Sequence, residues 1–97
     1  ARIHPDSLWL APYRPGGVEF LFGVLEDPRR SIGDRVDSVG ALSGISWSAE
    51  VVKRLRALEN DVTEVPGVRS LPVLAPIPTL GQFVRRAIKN IELGAPE

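Results

Sequence analysis

The fold prediction starts from residues 48–74, which read SAEVVKRLRALENDVTEVPGVRSLPVL. Four of their apolar residues recur at i, i+4, i+7 and i+11, the spacing of one helix face: Val51, Leu55, Leu58 and Val62. Pro66 favours an extended conformation at the residue before it, and Gly67 can adopt a positive φ angle. The stretch therefore predicts an amphipathic helix, a turn at Val65–Val68 and a strand over residues 68–71.

A second segment that bears on the fold is Val18–Leu25, in which apolar residues lie on both sides of a two-residue alternation. In a strand, Phe20, Phe22 and Val24 would point to one face and Leu21 to the other, so both faces are largely apolar. A strand of this kind belongs in the middle of a sheet or beneath a helix. The sequence therefore predicts Val18–Leu25 as the central strand.

Two further helices are predicted by apolar spacing. In residues 31–46 the spacing favours a short helix at Asp34–Leu42, but each interior glycine costs about 0.5–1 kcal/mol relative to alanine, so a mobile loop stays open as the alternative. At Leu80–Ile91 the apolar residues follow the helical period closely, and Thr79 is placed as the N-cap. The prolines at positions 72, 76 and 78 restrict the segment before this helix to a sheet edge or an extended connector.

Together these elements predict one α+β domain over residues 1–97, with a sheet of three to four strands and two packed helices. Ser7–Ala11 is a further short strand, and residues 1–6 are expected to form a flexible terminus. The side chains expected in the core are Phe22, Leu55, Phe83 and Ile88.

Composition places the chain among ordinary globular domains. Of its 97 residues, 43% are hydrophobic and 25% are charged, and the formal net charge is zero. Without a net positive charge there is no long-range attraction to nucleic acid, so nucleic-acid binding is disfavoured. The absence of cysteine excludes disulfides, thiolate catalysis and cysteine metal sites. Two compartments stay open: the cytoplasm, or the envelope or exterior if a signal peptide has been removed.

The segment Gly17–Leu25, GVEFLFGVL, resembles the core strand of the BON domain family, which often reads Gly-x-Val-x-Leu-x-Gly-x-Val. The helix Ala49–Val68, ending in the segment Val65–Leu71, is similar to that family's helix and second strand. BON domains are small α/β modules of bacterial envelope and secreted proteins, associated with binding phospholipid or other envelope surfaces. The resemblance implies an α/β fold and a bacterial, envelope-associated binding role.

Five residues are candidates for an interaction surface: Trp9, Tyr13, Arg85, Arg86 and Lys89. Trp9 and Tyr13 flank a proline-containing turn, and aromatic side chains are enriched at the energetic centres of protein interfaces. The three cations form a basic stripe on the predicted C-terminal helix. Such a stripe can lie on an anionic membrane, contact phosphates or belong to an ordinary surface helix.

No credible catalytic set is found along the chain. His4, the only histidine, lies in a proline-broken terminus, where a nucleophile and a base are not held rigidly together. Glu26, Asp27, Asp34 and Asp37 are accompanied by arginines and lack the alternating ligands of a calcium loop. We therefore expect no catalytic, cofactor-binding or metal-binding residues, and no cofactor.

Two functions from different classes follow. The favoured one is a non-enzymatic binding or assembly module that acts through protein–protein or lipid-surface contacts. The alternative is a small enzyme or ligand-binding domain that uses the carboxylates and arginines of residues 26–37. A protein partner or self-association is expected, because a thin sheet leaves apolar surface uncovered, and the contact region would be Leu71–Ile77 with the Leu80–Ile91 helix.

Overall fold

A computed structural model describes residues 8–65 and 78–95, and this part of the chain is helical. A 3-10 helix at Ala11–Tyr13 is followed by four α-helices: α1 Gly17–Leu25, α2 Ile32–Ser43, α3 Ala49–Arg56 and α4 Leu80–Glu92. None of these helices is long and apolar enough to cross a bilayer. The described residues form no strand or sheet; an isolated antiparallel bridge joins Glu64 to Thr79. The predicted α+β fold, with a sheet of three to four strands, is therefore wrong.

The predicted central strand Val18–Leu25 is the helix α1, because the helical period places its polar residues on one stripe, although Phe20 is also left 41% exposed. In a helix, Glu19, Gly23 and Glu26 fall at i, i+4 and i+7, and all three are exposed on one stripe. Leu21 and Leu25 lie on the other side, where both are completely buried. Valine and phenylalanine favour strands locally, but burying this stripe against the neighbouring helix outweighs a weak preference.

Two glycines carry the chain from the 3-10 helix into α1. Gly16 has a φ of 73°, a left-handed conformation that favours glycine. At Gly17 a Cβ would overlap the carbonyl oxygen of Ala11, so the two helical segments meet backbone to backbone. The described part of the predicted strand Ser7–Ala11 is helical as well, and that prediction is also wrong.

Serine side chains begin α2 and α3. The Ser31 hydroxyl accepts a hydrogen bond from the N–H of Asp34 at 3.2 Å, and the Ser48 hydroxyl accepts one from the N–H of Val51 at 3.3 Å. Each satisfies an amide that has no partner inside its own helix. α2 covers the short helix predicted at Asp34–Leu42 and extends it at both ends.

α3 is shorter than the predicted helix. After Arg56 the chain continues through turns in which each N–H bonds three residues back, from Leu58 to Leu55 at 2.9 Å and from Glu59 to Arg56 at 3.3 Å. These tighter turns break the 3.6-residue register of the apolar stripe. Val62, predicted on the buried face, is consequently 80% exposed. The predicted turn after Val65 and the strand at 68–71 lie outside the described residues.

Two short segments, 61–65 and 78–81, join the end of α3 to the beginning of α4. The N–H of Val65 bonds to the carbonyl of Pro78 at 2.8 Å, and the N–H of Leu80 bonds to Thr63 at 2.8 Å. Thr79 is the N-cap of α4, as predicted, and its N–H donates to Oε1 of Gln82 at 3.1 Å. The start of α4 is thereby fixed against the end of α3.

The core lies between the helices, with α1 packed on α2, α2 on α4 and α4 on α3. Phe22, Leu55 and Ile88 are buried in it, as expected. Phe83 is partly buried and packs at the edge of the core, so it is less deeply buried than the other three. The reason is that α4 turns the stripe of Leu80, Val84, Ala87, Ile88 and Ile91 inwards, which leaves Phe83 at the margin of that stripe.

Candidate interaction site

A groove of about 240 Å³ lies between α2 and α4, and Trp9 forms part of its lining. α2 lines it from Val36 to Ser43, and α4 lines it from Phe83 to Asn90. Each wall is therefore about two helical turns long, roughly 10 Å at 1.5 Å per residue. Val36, Val39, Phe83 and Ala87 make the walls largely apolar. The groove is smaller than the ~300–1,000 Å³ typical of small-molecule sites, and its length suits the side chains of a docked peptide.

Trp9 is positioned at this groove by its close approach to a glycine. A Cβ on Gly40 would lie 2.8 Å from Cη2 of the Trp9 ring and 3.3 Å from Cζ2, so the indole edge rests directly on the α2 backbone. The 3-10 helix that follows Trp9 packs on both α1 and α2, which holds this part of the chain in place. The side chain is nevertheless 49% exposed. A half-exposed indole on an apolar wall is the kind of residue that anchors protein interfaces.

A basic edge accompanies the groove along α4 and consists of Arg85, Arg86 and Lys89. Lys89 follows Arg85 by four positions and Arg86 by three, so the three side chains are neighbours on the helix surface. All three are exposed, and Arg86 also lines the groove. Within residues 8–65 and 78–95, none of them forms an ion pair. The positive charge of this edge is therefore available to a partner.

Arg54 on α3 forms ion pairs with Glu19 of α1 and with Glu26, the residue that follows α1. Its guanidinium donates to Oε1 of Glu19 at 2.8 Å and to Oε1 of Glu26 at 2.9 Å, and it lies 4.0 Å from the centroid of the Phe22 ring. The hydrogen bond to Glu19 is the largest of the effects that raise the pKa of Arg54 above its ordinary value. Arg54 thus ties α3 to α1 through charge and through cation–π contact, and it is not free to bind a partner.

Three more arginines outside α4 also have partners in the described part of the chain. Arg56 of α3 donates to Oε1 of Glu92 at 3.1 Å, so the acidic residue of α4 is paired with α3. Arg35 is buried and donates from Nε to the carbonyl of Leu25 at 2.8 Å. Arg29 bonds Asp27 from Nε at 3.1 Å. Four of the eight arginines in the described residues are therefore engaged within the molecule, in contrast to those of the basic edge.

The structure brings only some of the predicted site residues together. Trp9 and Arg86 line the same groove, and Arg85 and Lys89 lie beside Arg86. Tyr13 is 81% exposed on the 3-10 helix and is not among the residues that line the groove.

The groove residues missed by sequence reasoning include Gly40 of α2 and Phe83 and Asn90 of α4, whereas Arg86 was predicted. Phe83, Arg86 and Asn90 recur at i, i+3 and i+7, beside the buried stripe to which Ala87 belongs. A second helical stripe of mixed apolar and polar character was the signal that could have indicated them.

The carboxylates of residues 26–37 do not converge on one site. Glu26 bonds Arg54, whereas Asp27 is held by Arg29, whose hydrogen bond lowers the pKa of the Asp27 carboxyl below its ordinary value. Asp34 is almost fully buried on α2, and Asp37 lines the groove; each already takes part in an interaction. No group of three possible metal ligands occurs among the residues that the structure describes.

The chain matches no family model, and comparisons with curated proteins and with solved structures also found no match. The resemblance to BON domains accordingly stays a prediction. The segment that carries it, Gly17–Leu25, is a helix in this structure and not the strand that the resemblance implies.

Proposed function

We propose that this chain is a non-enzymatic binding module that docks a protein partner in the groove between α2 and α4. The observation that carries the proposal is the half-exposed Trp9 indole, which rests on Gly40 at the side of an apolar groove. An exposed aromatic side chain of this size, placed beside a concave apolar surface, is typical of the centre of a protein interface.

The shape of the groove favours a protein segment over a lipid surface. A helix that lies on a membrane must expose its apolar face to the acyl chains. The apolar face of α4, with Val84, Ile88 and Ile91, is instead buried in the core. What α4 exposes beside the groove is polar and basic. A groove two helical turns long between two helices suits one amphipathic peptide, whose apolar side chains would occupy it.

The proposal can be tested by panning a displayed peptide library on the immobilised protein and measuring the selected peptides on two variants. Gly40→Ala places a Cβ 2.8 Å from Trp9 and should displace the indole, while alanine keeps α2 helical. Tyr13→Ala is the matched control, because it removes an even more exposed aromatic side chain, which lies outside the groove.

We expect the selected peptides to bind the unchanged protein and Tyr13→Ala equally, and to lose about tenfold in affinity on Gly40→Ala, as for one interface anchor. Circular dichroism of each variant checks that the fold is retained. Peptides that depend on Tyr13 and ignore Gly40→Ala, or a selection that enriches nothing, would overturn the proposal.

A further inference from the structure

We infer that the segment docked in this groove is an acidic amphipathic peptide, with apolar side chains in the groove and carboxylates on the flank that faces α4. The inference rests on the proposed function and adds the chemistry of the partner to it.

The charge pattern of the molecule is the first argument. Arg54 and Arg56 are paired with carboxylates of other helices at 2.8–3.1 Å. The basic edge of Arg85, Arg86 and Lys89 has no such partner in the described residues. Glu92, the carboxylate of α4, could have offset Lys89 three positions away but bonds Arg56 instead. The fold therefore leaves three adjacent positive charges on the exposed surface of α4, and one of them, Arg86, lies at the apolar groove.

The placement of these charges is the second argument. Arg86 lines the groove itself, whereas at about 100° per residue Lys89 lies about 60° and Arg85 about 100° further round α4. A helical peptide in the groove would meet Arg86 and the long side chain of Lys89 with residues adjacent to its apolar stripe, and Arg85 would add positive charge at longer range. The opposite wall is different, because Asp37 of α2 lies there and already has an interaction of its own. Acidic residues of the docked peptide are therefore favoured only on the flank that faces α4. An acidic flank beside an apolar stripe is the pattern of an amphipathic acidic segment.

A nucleic acid or an anionic membrane could also be attracted by three cations, but neither uses the groove. Phosphodiester backbones are contacted by stripes of basic and polar side chains that follow the strand, and they have no apolar group to place against Val36, Val39 and Phe83. An acidic peptide uses both the apolar walls and the cations. The two observations together thus favour a protein segment.

Fluorescence of Trp9 gives a direct test. The chain has two tryptophans, so Trp47→Phe leaves Trp9 as the only indole and makes its emission report on the groove. The probes are three synthetic helical peptides with identical leucine stripes and with glutamate, glutamine or lysine at the flanking positions. We expect the glutamate peptide to shift Trp9 emission to shorter wavelength and to bind about tenfold more tightly than the glutamine peptide, as for two or three exposed ion pairs. High salt should remove most of that difference.

Charge reversal sharpens the test. Arg86→Glu combined with Lys89→Glu should shift the preference from the glutamate peptide to the lysine peptide. The matched control is Arg30→Glu combined with Lys53→Glu, which changes the net charge by the same amount at two exposed cations away from the groove. The control should keep the original preference, because only charges beside the groove contact the peptide.

Three results would overturn the inference. Equal binding of all three peptides would mean that charge does not select the partner, and the groove would still stand as a binding site if the library result holds. No shift of Trp9 emission with any peptide would exclude an amphipathic helical ligand. Duplex DNA or anionic vesicles that bind through Arg86 and Lys89 and ignore Gly40→Ala would assign the basic edge to a different class of partner.

Discussion

Gly81→Ala should destabilise the protein, because a methyl group at this position has no room at the junction of α3 and α4. A Cβ there would lie 2.6 Å from the carbonyl oxygen of Glu59 and 2.7 Å from that of Asp61. Both neighbours are backbone atoms, so no side-chain rotation relieves the overlap. The N–H of Gly81 also donates to the Asp61 carbonyl at 2.9 Å, and moving α4 away would weaken this bond.

The size of the effect follows from three contributions. Overpacking of this kind costs about 1–3 kcal/mol. Weakening the hydrogen bond adds about 0.5–1.5 kcal/mol. The higher helix propensity of alanine offsets at most about 1 kcal/mol of this loss of stability, and less at a helix terminus than in a helix interior. We therefore expect the free energy of unfolding to fall by roughly 0.5–4.5 kcal/mol.

Gly23→Ala is the control, since it makes the same chemical change in the middle of α1. Gly23 is exposed and a Cβ there meets nothing within 4 Å, so alanine should raise the free energy of unfolding by about 0.5–1 kcal/mol. Urea denaturation followed by far-ultraviolet circular dichroism measures both variants. Equal midpoints for the two variants, or a gain of stability in Gly81→Ala, would refute the described contact between the start of α4 and the end of α3.

Three further predictions concern the core and its ion pairs. Arg54→Ala should lower the free energy of unfolding by about 0.5–1.5 kcal/mol, as for two partly exposed ion pairs, whereas Lys53→Ala should change it by less than about 0.5 kcal/mol; a loss that persists in high salt would assign the effect to packing on Phe22. Phe22→Ala should cost about 3–5 kcal/mol and Phe83→Ala roughly half of that or less, because Phe83 is only partly buried, and equal costs would contradict its place on the groove wall. The pKa of Asp61 is lowered below its ordinary value of 3.8, chiefly by a hydrogen bond with the Thr63 side chain and also by one from the Thr63 backbone N–H, while burial acts in the opposite direction. Because the folded state favours the ionised carboxylate, Asp61→Asn should lower the urea midpoint at neutral pH, and the difference should disappear as the pH falls below 3.8; a difference that persists in acid would show that the charge is not responsible.

The fold class could not be predicted from α1 alone, since its sequence satisfies two periods. Alternating residues of Val18–Leu25 are apolar on both faces, which is typical of a central strand. The same residues also place Glu19, Gly23 and Glu26 on a single helical stripe, which is the arrangement observed. Local pattern cannot choose between the two, because the choice depends on whether α2 supplies a surface that covers one helical face. The later helix α4 has no such ambiguity, and both its extent and its N-cap were predicted.

Differences at the level of single residues have a similar origin. Val62 was predicted on a buried face because the helical period was extended beyond Arg56, whereas the turns that follow change the register. Phe83 was predicted to be mostly buried, and it packs against the core from the margin of the buried stripe of α4. Both residues are apolar, and how deeply each is buried depends on how the helix surface lies relative to its neighbours, which the local pattern does not specify.

The candidate site depends on a property that only the packed helices reveal, namely which cations have partners. Along the chain, Lys53, Arg54 and Arg56 form a basic cluster as dense as that of Arg85, Arg86 and Lys89. The carboxylates that pair with Arg54 and Arg56 of the first cluster are 28 to 36 residues away in sequence, at Glu26, Glu19 and Glu92. They reach these arginines because α4 packs on α3 and because the Arg54 side chain extends to the Phe22 face of α1. The two clusters therefore look equivalent in the sequence. In the packed structure the arginines of the first cluster are paired with carboxylates, whereas the second cluster is unpaired in the described residues and begins at the groove that Trp9 lines.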